Sequence, residues 1–266
     1  MTEDRGYALI TGASQGLGAA LALELAKQGF GVLLVARSED ALHKVASEAA
    51  ALNGGRARTF TADLFAPGAA GRIVDRVQQL DLPLSCIVNN AGQGLWGLFE
   101  TLPVEEQLRM MRLNMDVPVE LTHRLLPALQ RAKRAYVLNI SSMTAYTPMA
   151  TFAVYAASKS FVRIWSRSLR IELEKGPVKV TAVCPGSIIT GFTQRAGMMA
   201  MDDLARKFGT GPEPVATAAV RAMLKGKAEV VPGLLNRITA TVQGLLPTGV
   251  NERLASGIYL KRLPLK

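Results

Sequence analysis

Tyr155 and Lys159, four residues apart, are the two side chains of this sequence best suited to proton transfer. The flanking pattern predicts a helix over about residues 151–174, and positions i and i+4 of a helix lie on one face. A phenol with an ordinary pKa of about 10 exchanges protons poorly at neutral pH, whereas a nearby ammonium stabilises the phenolate and lowers that pKa. We therefore expect Tyr155 to act as an acid/base group tuned by Lys159. Chance alone gives this spacing in roughly one such chain in five.

Two further polar residues precede this pair. Ser142 follows a predicted strand over residues 136–141, where its hydroxyl could bind a substrate carbonyl or simply serve a cap or turn. Asn114 lies within a predicted long helix over residues 104–130, an unusual place for a residue of modest helix propensity. It could join a polar relay with Lys159, or it could be an exposed helical amide.

A glycine-rich turn lies near the start of the chain. Thr11 to Gly18 has the spacing Gly-x-x-x-Gly-x-Gly and lies between an apolar run, Tyr7 to Ile10, and a predicted helix ending near Gln28. A helix N-terminus carries partial positive charge and unpaired N–H groups, so it can bind a pyrophosphate. Arg37 directly follows the second predicted strand, where an arginine suits a ribose 2′-phosphate and a carboxylate would suit a free 2′-OH. We therefore expect NADP(H); a solvent-facing arginine is the alternative.

The elements that must position these residues alternate along the chain. Apolar runs predict strands over residues 7–10, 31–36, 56–62, 84–89, 136–141 and 179–184, with helical patterns between them. This rhythm predicts an α/β fold with a doubly wound parallel sheet and helices on both faces. Ligands bind such sheets at the carboxyl ends of strands, where the strand order reverses.

The composition limits the class of protein. A chain of 266 residues, 49% hydrophobic and 20% charged, predicts one globular domain over residues 1–266. No run approaches the ~18 apolar residues of a membrane span, and we expect a cytoplasmic protein without a signal peptide. Cys86 and Cys184 are predicted to be buried free thiols. His43 and His123 lack metal-ligand spacing, so we expect no metal.

The net charge of +10 suits anionic cofactors, acyl-carrier or CoA substrates, or anionic lipid, and equally a solvated surface. Without aromatic interleaving or a recognisable motif, we expect no nucleic-acid partner.

Together these motifs resemble the short-chain dehydrogenase/reductase family. The resemblance runs from about residue 7 to 190 and rests on Thr11-Gly-Ala-Ser-Gln-Gly-Leu-Gly18, Asn89-Asn-Ala-Gly92, Asn114, Ser142, Tyr155-Ala-Ala-Ser-Lys159 and Pro185-Gly-Ser-Ile-Ile-Thr190. It implies a Rossmann-like sheet of about seven strands, the last over residues 229–231. It also implies a homodimer or homotetramer formed through the two long helices.

The resemblance further implies roles for individual residues. Tyr155 would exchange a proton with the substrate, Lys159 would lower the Tyr155 pKa and hold the nicotinamide ribose, Ser142 would orient the carbonyl, and Asn114 would anchor a water of the proton relay. The cofactor would contact Gly12, Ser14, Gln15, Gly16, Leu17, Gly18, Arg37, Asp63, Leu64, Asn90, Ala91, Gly92, Tyr155, Lys159, Pro185, Gly186, Ile188 and Thr190. Gln15 departs from the basic residue that many NADP-binding members have there, so the NADP assignment rests mainly on Arg37.

Two segments bear on the substrate. Residues 187–214 correspond to the family's variable substrate loop and carry Phe192, Met198, Met199 and Met201; Leu95, Trp96, Leu98 and Phe99 follow Asn-Asn-Ala-Gly. Such side chains either line a pocket for a bulky apolar ketone or simply pack the loop onto the core. In the C-terminal region, residues 233–266, an amphipathic helix over Leu234–Leu246 precedes a basic tail. We expect this helix to pack against the cleft or a partner subunit, with peripheral membrane contact as the less favoured alternative.

The sequence therefore predicts an NADP(H)-dependent oxidoreductase that transfers hydride between nicotinamide and a ketone or secondary alcohol, the substrate being a bulky apolar molecule such as a β-ketoacyl or steroid-like compound. The alternative is a non-catalytic NADP(H)-binding regulator that retains the fold.

Overall fold

In the computed structural model, which describes residues 4–201, 203, 207–245 and 248–263, strands and helices alternate along the chain. The strands are β1 (Tyr7–Thr11), β2 (Gly31–Ala36), β3 (Ala57–Thr61), β4 (Leu84–Asn89), β5 (Ala135–Ile140), β6 (Val178–Val183) and β7 (Glu229–Val230). The helices are α1 (Gly16–Lys27), α2 (Glu39–Asn53), α3 (Ala69–Gln79), α4 (Val104–Met111), α5 (Val117–Gln130), α6 (Ala153–Glu172), α7 (Phe192–Arg195), α8 (Pro212–Leu224), α9 (Leu234–Leu245) and α10 (Thr248–Leu260).

The seven strands form one parallel sheet in the order β3-β2-β1-β4-β5-β6-β7. Every residue of β2, β4 and β5 is buried, which is why these strands read as continuous apolar runs. One core packs α1, α2 and α8 against the sheet, and a second core packs α3 and α5 against its other face. The predicted doubly wound sheet with helices on both faces is therefore confirmed.

The strand order reverses between β1 and β4, which are neighbours in the sheet but distant in sequence. Crossovers leave these two strands toward opposite faces, which opens a crevice at their carboxyl ends. The glycine-rich turn follows β1, Asn90 follows β4, Ser142 lies just beyond β5, and Pro185 lies just beyond β6. The topology thus brings the predicted site segments to one edge of the sheet.

The predicted long helix over residues 104–130 is interrupted. A π-helical turn, Arg112–Asp116, joins α4 to α5. Pro118, the expected kink, lies in the first turn of α5, directly after this π turn.

The C-terminal region contains more structure than the single helix expected. The amphipathic helix is α9, and a second helix, α10, follows it. The buried Asn251 of α10 donates to Thr147 Oγ1 at 2.9 Å and to the Gln243 carbonyl at 3.0 Å, while Ser256 Oγ accepts from the Ala150 N–H at 2.9 Å. These bonds fix the helix pair to the segment between β5 and α6. Leu246 and Lys266 lie outside the described residues.

Two further observations concern membranes and metals. Among the described helices, none combines the length and the hydropathy that crossing a bilayer requires. Within the same part of the chain, no cluster of three or more His, Cys, Asp or Glu side chains could hold a metal ion. Both cysteines are buried free thiols.

Candidate functional site

A single cavity of about 800 Å³ runs along the carboxyl ends of the strands, from the glycine-rich turn to the helix pair α9–α10. It collects the sequence-predicted site residues at its wall: Gly12, Ser14, Gln15, Gly16, Leu17, Gly18, Arg37, Asp63, Leu64, Asn90, Ala91, Gly92, Ser142, Tyr155, Lys159, Pro185, Gly186, Ile188 and Thr190. Asn114 is the one predicted site residue absent from this lining.

The glycine-rich turn keeps the start of α1 open to the cavity. Gly12 and Gly16 have φ of +68° and +56°, a conformation that glycine adopts without strain. A Cβ at Gly18 would collide with the Gly12 carbonyl oxygen, so only glycine lets the helix lie this close to the turn. The Gln15 side chain caps no N–H of α1. The first N–H groups of the helix are thus available to an anion.

Asn90 holds this turn from the neighbouring strand. Its amide donates to the carbonyl oxygens of Thr11 at 2.9 Å and Gly12 at 3.2 Å, and Thr11 Oγ1 accepts from the backbone N–H groups of Asn90 and Ala91. The Asn90 side chain therefore braces the turn, while the same segment lines the cavity.

Two arginine side chains, Arg37 and Arg195, line the end of the cavity beyond β2. The exposed Arg37 places its guanidinium carbon 5.9 Å from the Phe65 ring centroid. Asp63 Oδ1 accepts from the Phe65 N–H at 3.0 Å, so this carboxylate shapes the turn that lines the cavity.

Arg195 of α7 is a cavity residue that the sequence reasoning missed. Burial and, next, the positive charge of Arg37 lower the pKa of Arg195, and both arginines line the same cavity. Neither has a carboxylate within ion-pair distance among the described residues. A lone arginine in a variable loop gives no sequence signal for this position.

Tyr155 and Lys159 lie on one face of α6, as predicted, and both are buried. The Lys159 ammonium donates to the Ile140 carbonyl at 3.0 Å and lies 5.9 Å from the Tyr155 ring centroid. Burial lowers the pKa of Lys159 to about 8. Burial also raises the pKa of Tyr155 to about 12, a change that a hydrogen bond with Ser142 opposes.

The sequence predicts that Lys159 lowers the pKa of the phenol, and in this structure burial outweighs the groups that lower it. Transfer of the phenolate from water to this buried site costs more free energy than its interactions with the surrounding groups recover. The group that counters burial is Ser142.

The Ser142 side chain acts on the pKa of the phenol and also caps a turn. Its Oγ accepts from the Thr144 N–H at 3.1 Å, capping a short 3₁₀ turn, Met143–Ala145. Tyr146 follows this turn and donates to Glu229 Oε1 of β7 at 2.5 Å. Arg163 of α6 pairs with the same carboxylate at 2.8 Å. The loop that carries Ser142 is thus fixed to both α6 and β7.

Asn114 is buried, not an exposed helical amide, because the π turn directs it inward. Its Oδ1 accepts from the Gln93 N–H at 3.0 Å, and its Nδ2 donates to the Gln93 carbonyl and to Ser158 Oγ, both at 3.0 Å. A Cβ placed on Gly92 would lie 3.2 Å from both Asn114 Oδ1 and Lys159 Nζ. The two polar groups therefore approach the same point beside the cavity wall.

The segment that follows β6 forms one wall of the cavity. The Pro185 carbonyl accepts from the Met143 N–H at 2.9 Å, and Gly186 lies against the Asn236 side chain. Ile188 pairs with Thr210 in an isolated parallel bridge. Thr190 lies beside the glycine-rich turn, with its Cγ2 3.1 Å from where a Cβ on Gly16 would stand.

Aromatic and thioether groups surround Tyr155 at the far end. Its ring lies 5.5 Å from Phe152 and 5.8 Å from Phe192, and Tyr259 of α10 packs 5.5 Å from Phe152. Met149 and Met198 complete this wall. Phe152, Met149 and Tyr259 were not expected here, since only the fold brings them together.

The two alternative roles of the loop side chains both apply. Phe192 and Met198 line the cavity, whereas Trp96 and Met201 are buried in the cluster beneath it. Leu98, Phe99 and Met199 are exposed, while Leu95 packs against the cluster.

The doubly wound sheet, the open helix N-terminus and the buried Tyr155–Lys159 pair together define a dinucleotide-binding fold with an acid/base group in its crevice. The family model for short chain dehydrogenases matches residues 6–200. This chain belongs to the short-chain dehydrogenase/reductase family and is accordingly an oxidoreductase that uses a nicotinamide cofactor.

Three similar proteins carry informative names. The 17-beta-hydroxysteroid dehydrogenase type 3 of Danio rerio is 32% identical over 192 residues, which span 70% of this chain and 62% of that protein, less than two thirds of its length. The ketoacyl reductase HetN of Nostoc sp. is 29% identical over 92% of this chain and 86% of its own. A solved short-chain dehydrogenase from Sphingobium yanoikuyae, in complex with NADPH, has a TM-score of 0.78 and 27% identity, covering 90% of this chain and 94% of its own.

Proposed function

We propose that this protein is an NADP(H)-dependent ketoreductase that transfers hydride between nicotinamide and a ketone or secondary alcohol. The observation that carries the proposal is that Ser142, Tyr155 and Lys159 line one cavity, with Tyr155 buried one helical turn from Lys159. Asn114, Ser142, Tyr155 and Lys159 would be the catalytic residues. A non-catalytic cofactor-binding regulator would have no need for all four groups.

The glycine-rich turn fits a dinucleotide. A Cβ at Gly12, Gly16 or Gly18 would lie close to neighbouring atoms of the protein, so the glycines keep the turn tight beside the open N-terminus of α1. The pyrophosphate would lie against the N–H groups of residues 14–18, the adenine beside Asp63 and Leu64, and the nicotinamide between Ala91 and the segment 185–190. When bound, the cofactor supplies or accepts the hydride.

The preference for NADP(H) is supported by the two arginines at the adenine-ribose end. Arg37 and Arg195 both line the cavity, the positive charge of Arg37 lowers the pKa of Arg195, and neither has a carboxylate partner among the described side chains. A 2′-phosphate between them would offset these positive charges. Arg195 would supply the second cation that Gln15 does not. The NADPH complex of the Sphingobium yanoikuyae relative points the same way.

The reacting proton would move at the Tyr155 hydroxyl. In the reducing direction the phenol donates its proton to the carbonyl oxygen, while the Ser142 hydroxyl donates a hydrogen bond to the same oxygen. The phenol's raised pKa favours the protonated form that reduction requires. Lys159 stabilises the phenolate that forms and holds the ribose hydroxyls. Asn114 would anchor a water beside Gly92 that returns the proton through Lys159.

The proposed substrate is a bulky apolar ketone of the β-ketoacyl or steroid type. Tyr155 lies among Phe152, Phe192, Met149 and Met198, so the reacting end of the cavity is aromatic and apolar. The two curated relatives named above act, by their names, on ketoacyl and hydroxysteroid compounds.

We also propose a homodimer or homotetramer in the cytoplasm, without a nucleic-acid partner. The outer surfaces of α4 and α6 expose apolar side chains, among them Leu108 and Ile164. Contact between copies through these helices would bury them.

The test is a spectrophotometric screen of NADPH and NADH oxidation against ketoacyl, steroid and small aromatic ketones. We expect turnover with NADPH and a bulky apolar ketone, and its loss in Tyr155→Phe with coenzyme binding retained. Coenzyme binding without turnover across the whole panel would favour the regulator instead. The Phe161→Tyr variant, which alters an exposed ring outside the cavity, is the matched control.

A further inference from the structure

Helix α9 has its polar side toward the cavity and its apolar side toward solvent. Asn236, Thr239 and Gln243, spaced along one face, line the cavity. Leu234, Leu235, Ile238 and Val242 occupy the opposite side, and Val242, the least exposed of these, still shows 44% of its surface. An ordinary surface helix has the reverse arrangement.

Helix α10 continues the same arrangement. Asn251, Ala255 and Tyr259 face inward, where Asn251 is buried and the other two line the cavity. Val250 and Leu254 are exposed, at 48% and 63%. We call six exposed apolar side chains of the two helices, namely Leu234, Leu235, Ile238, Val242, Val250 and Leu254, the outer face.

Basic residues accompany the outer face. Arg237, Arg253, Lys261 and Arg262 are exposed, while Glu252 is the one acidic residue of residues 233–266. Within the described residues, none of these four cations forms an ion pair. An apolar face flanked by cations is typical of helices that lie in the interface of an anionic bilayer. A second copy would bring like charges together at this face, which disfavours self-association there.

We propose that the outer face of α9–α10 binds the surface of an anionic lipid bilayer. The same two helices form the substrate end of the cavity, so binding would hold the cavity against the lipid. Leucine, isoleucine and valine side chains would enter the acyl boundary while the guanidinium and ammonium groups meet the headgroups. This inference needs no turnover, so it stands or fails separately from the proposed reaction.

Vesicle sedimentation tests the proposal. The full chain is mixed with vesicles of phosphatidylcholine alone or of phosphatidylcholine with ~30% phosphatidylglycerol. We expect the anionic vesicles alone to carry the protein into the pellet. The triple variant Leu235→Ser, Ile238→Ser, Val242→Ser should lower the bound fraction at least about tenfold. Leu52→Ser, an exposed leucine on α2, should bind like the wild type.

The double variant Arg237→Gln, Arg253→Gln tests the role of charge. Lys44→Gln on α2 is the matched control. The double variant, and ~0.5 M NaCl with the wild type, should each reduce binding several-fold because screening weakens headgroup attraction. NADPH binding and circular dichroism of each variant confirm that the fold is retained.

A third variant guards against misfolding of the triple one. Leu235→Trp keeps an apolar side chain at an exposed position, and brominated anionic lipids should quench its added fluorescence. Wild-type protein that stays in the supernatant, a triple variant that binds unchanged, or no added quenching would each overturn the proposal. A fall in molecular mass of the triple variant by light scattering, without vesicle binding by the wild type, would identify a second copy as the occupant.

Discussion

Asn114 Oδ1 and Lys159 Nζ approach one point: a Cβ on Gly92 would lie 3.2 Å from each atom. The two side chains come from α6 and from the π turn between α4 and α5, and a glycine of a third segment leaves the space between them open. The proposed water relay depends on this space.

Gly92→Ala should fill that space. A methyl group at 3.2 Å from both polar atoms displaces a bridging water, so we expect kcat to fall about tenfold with little change in the free energy of unfolding. Steady-state kinetics and urea denaturation measure the two quantities. Gly71→Ala, where an added Cβ meets no atom within 4 Å, is the control and should leave kcat unchanged. Equal kcat values for the two variants would contradict the relay.

Asn114→Leu should destabilise the fold as well as the reaction. The substitution leaves the partly buried N–H and carbonyl of Gln93 without their partner, at a cost of about 1–3 kcal/mol in the free energy of unfolding. Urea denaturation of both proteins measures this cost. Gln107→Leu is a comparison at a buried amide that bonds only backbone carbonyls near α4 and should leave coenzyme binding intact.

Lys159 gives stability a distinctive pH dependence. Its pKa is about 8 in the fold against 10.5 unperturbed, so between these values the unfolded chain binds more protons. Stability from this group therefore rises with pH across that window, by at most about 1.4 kcal/mol per pH unit. Tyr155 acts oppositely above its ordinary pKa, because the folded phenol keeps its proton to about 12.

The measurement is urea denaturation of the wild type, Lys159→Met and Tyr155→Phe at a series of pH values from about 7.5 to about 11. Relative to Lys159→Met, the wild type should gain stability as pH rises. Parallel pH profiles for the wild type and Lys159→Met would show that the fold does not lower the pKa of Lys159.

Arg37→Ala should weaken NADPH binding selectively. Loss of one charge-assisted partner of a 2′-phosphate raises KM for NADPH about tenfold or more and leaves KM for NADH nearly unchanged. Arg195→Ala should act in the same direction, since both arginines line the cavity. Arg58→Ala, an exposed arginine of β3 outside the cavity lining, is the control. If Arg195→Ala raised KM equally for NADPH and NADH, Arg195 would lie outside the 2′-phosphate site.

The sequence predicted which segments meet at one edge of the sheet, but it predicted the environment of the site less well. Residues 12, 90, 142 and 185 follow buried strands, and a parallel sheet necessarily brings such positions to one edge. Helical spacing likewise placed Tyr155 and Lys159 on one face. These predictions depend on local periodicity, which the sequence contains directly.

What could not be predicted depends on distant packing. The pKa of Tyr155 follows from its burial by Phe152, Phe192 and Tyr259, which lie on separate elements. Arg195 lines the same cavity as Arg37 only because the loop after β6 folds over it. Helix α10 was missed because the buried position 251 is a polar asparagine, which weakens the apolar periodicity of the segment.

The π turn at Arg112–Asp116 makes chain length itself a determinant of the site. Removing one residue there would restore regular α-helical winding and redirect the side chains of the turn itself, while the flanking helices would stay nearly in place. The amide of residue 114 would then turn away from Gln93, although every atom needed for the contact would still be present. A shortened loop elsewhere changes a boundary, but a shortened helix here would change which side chain of the turn points inward.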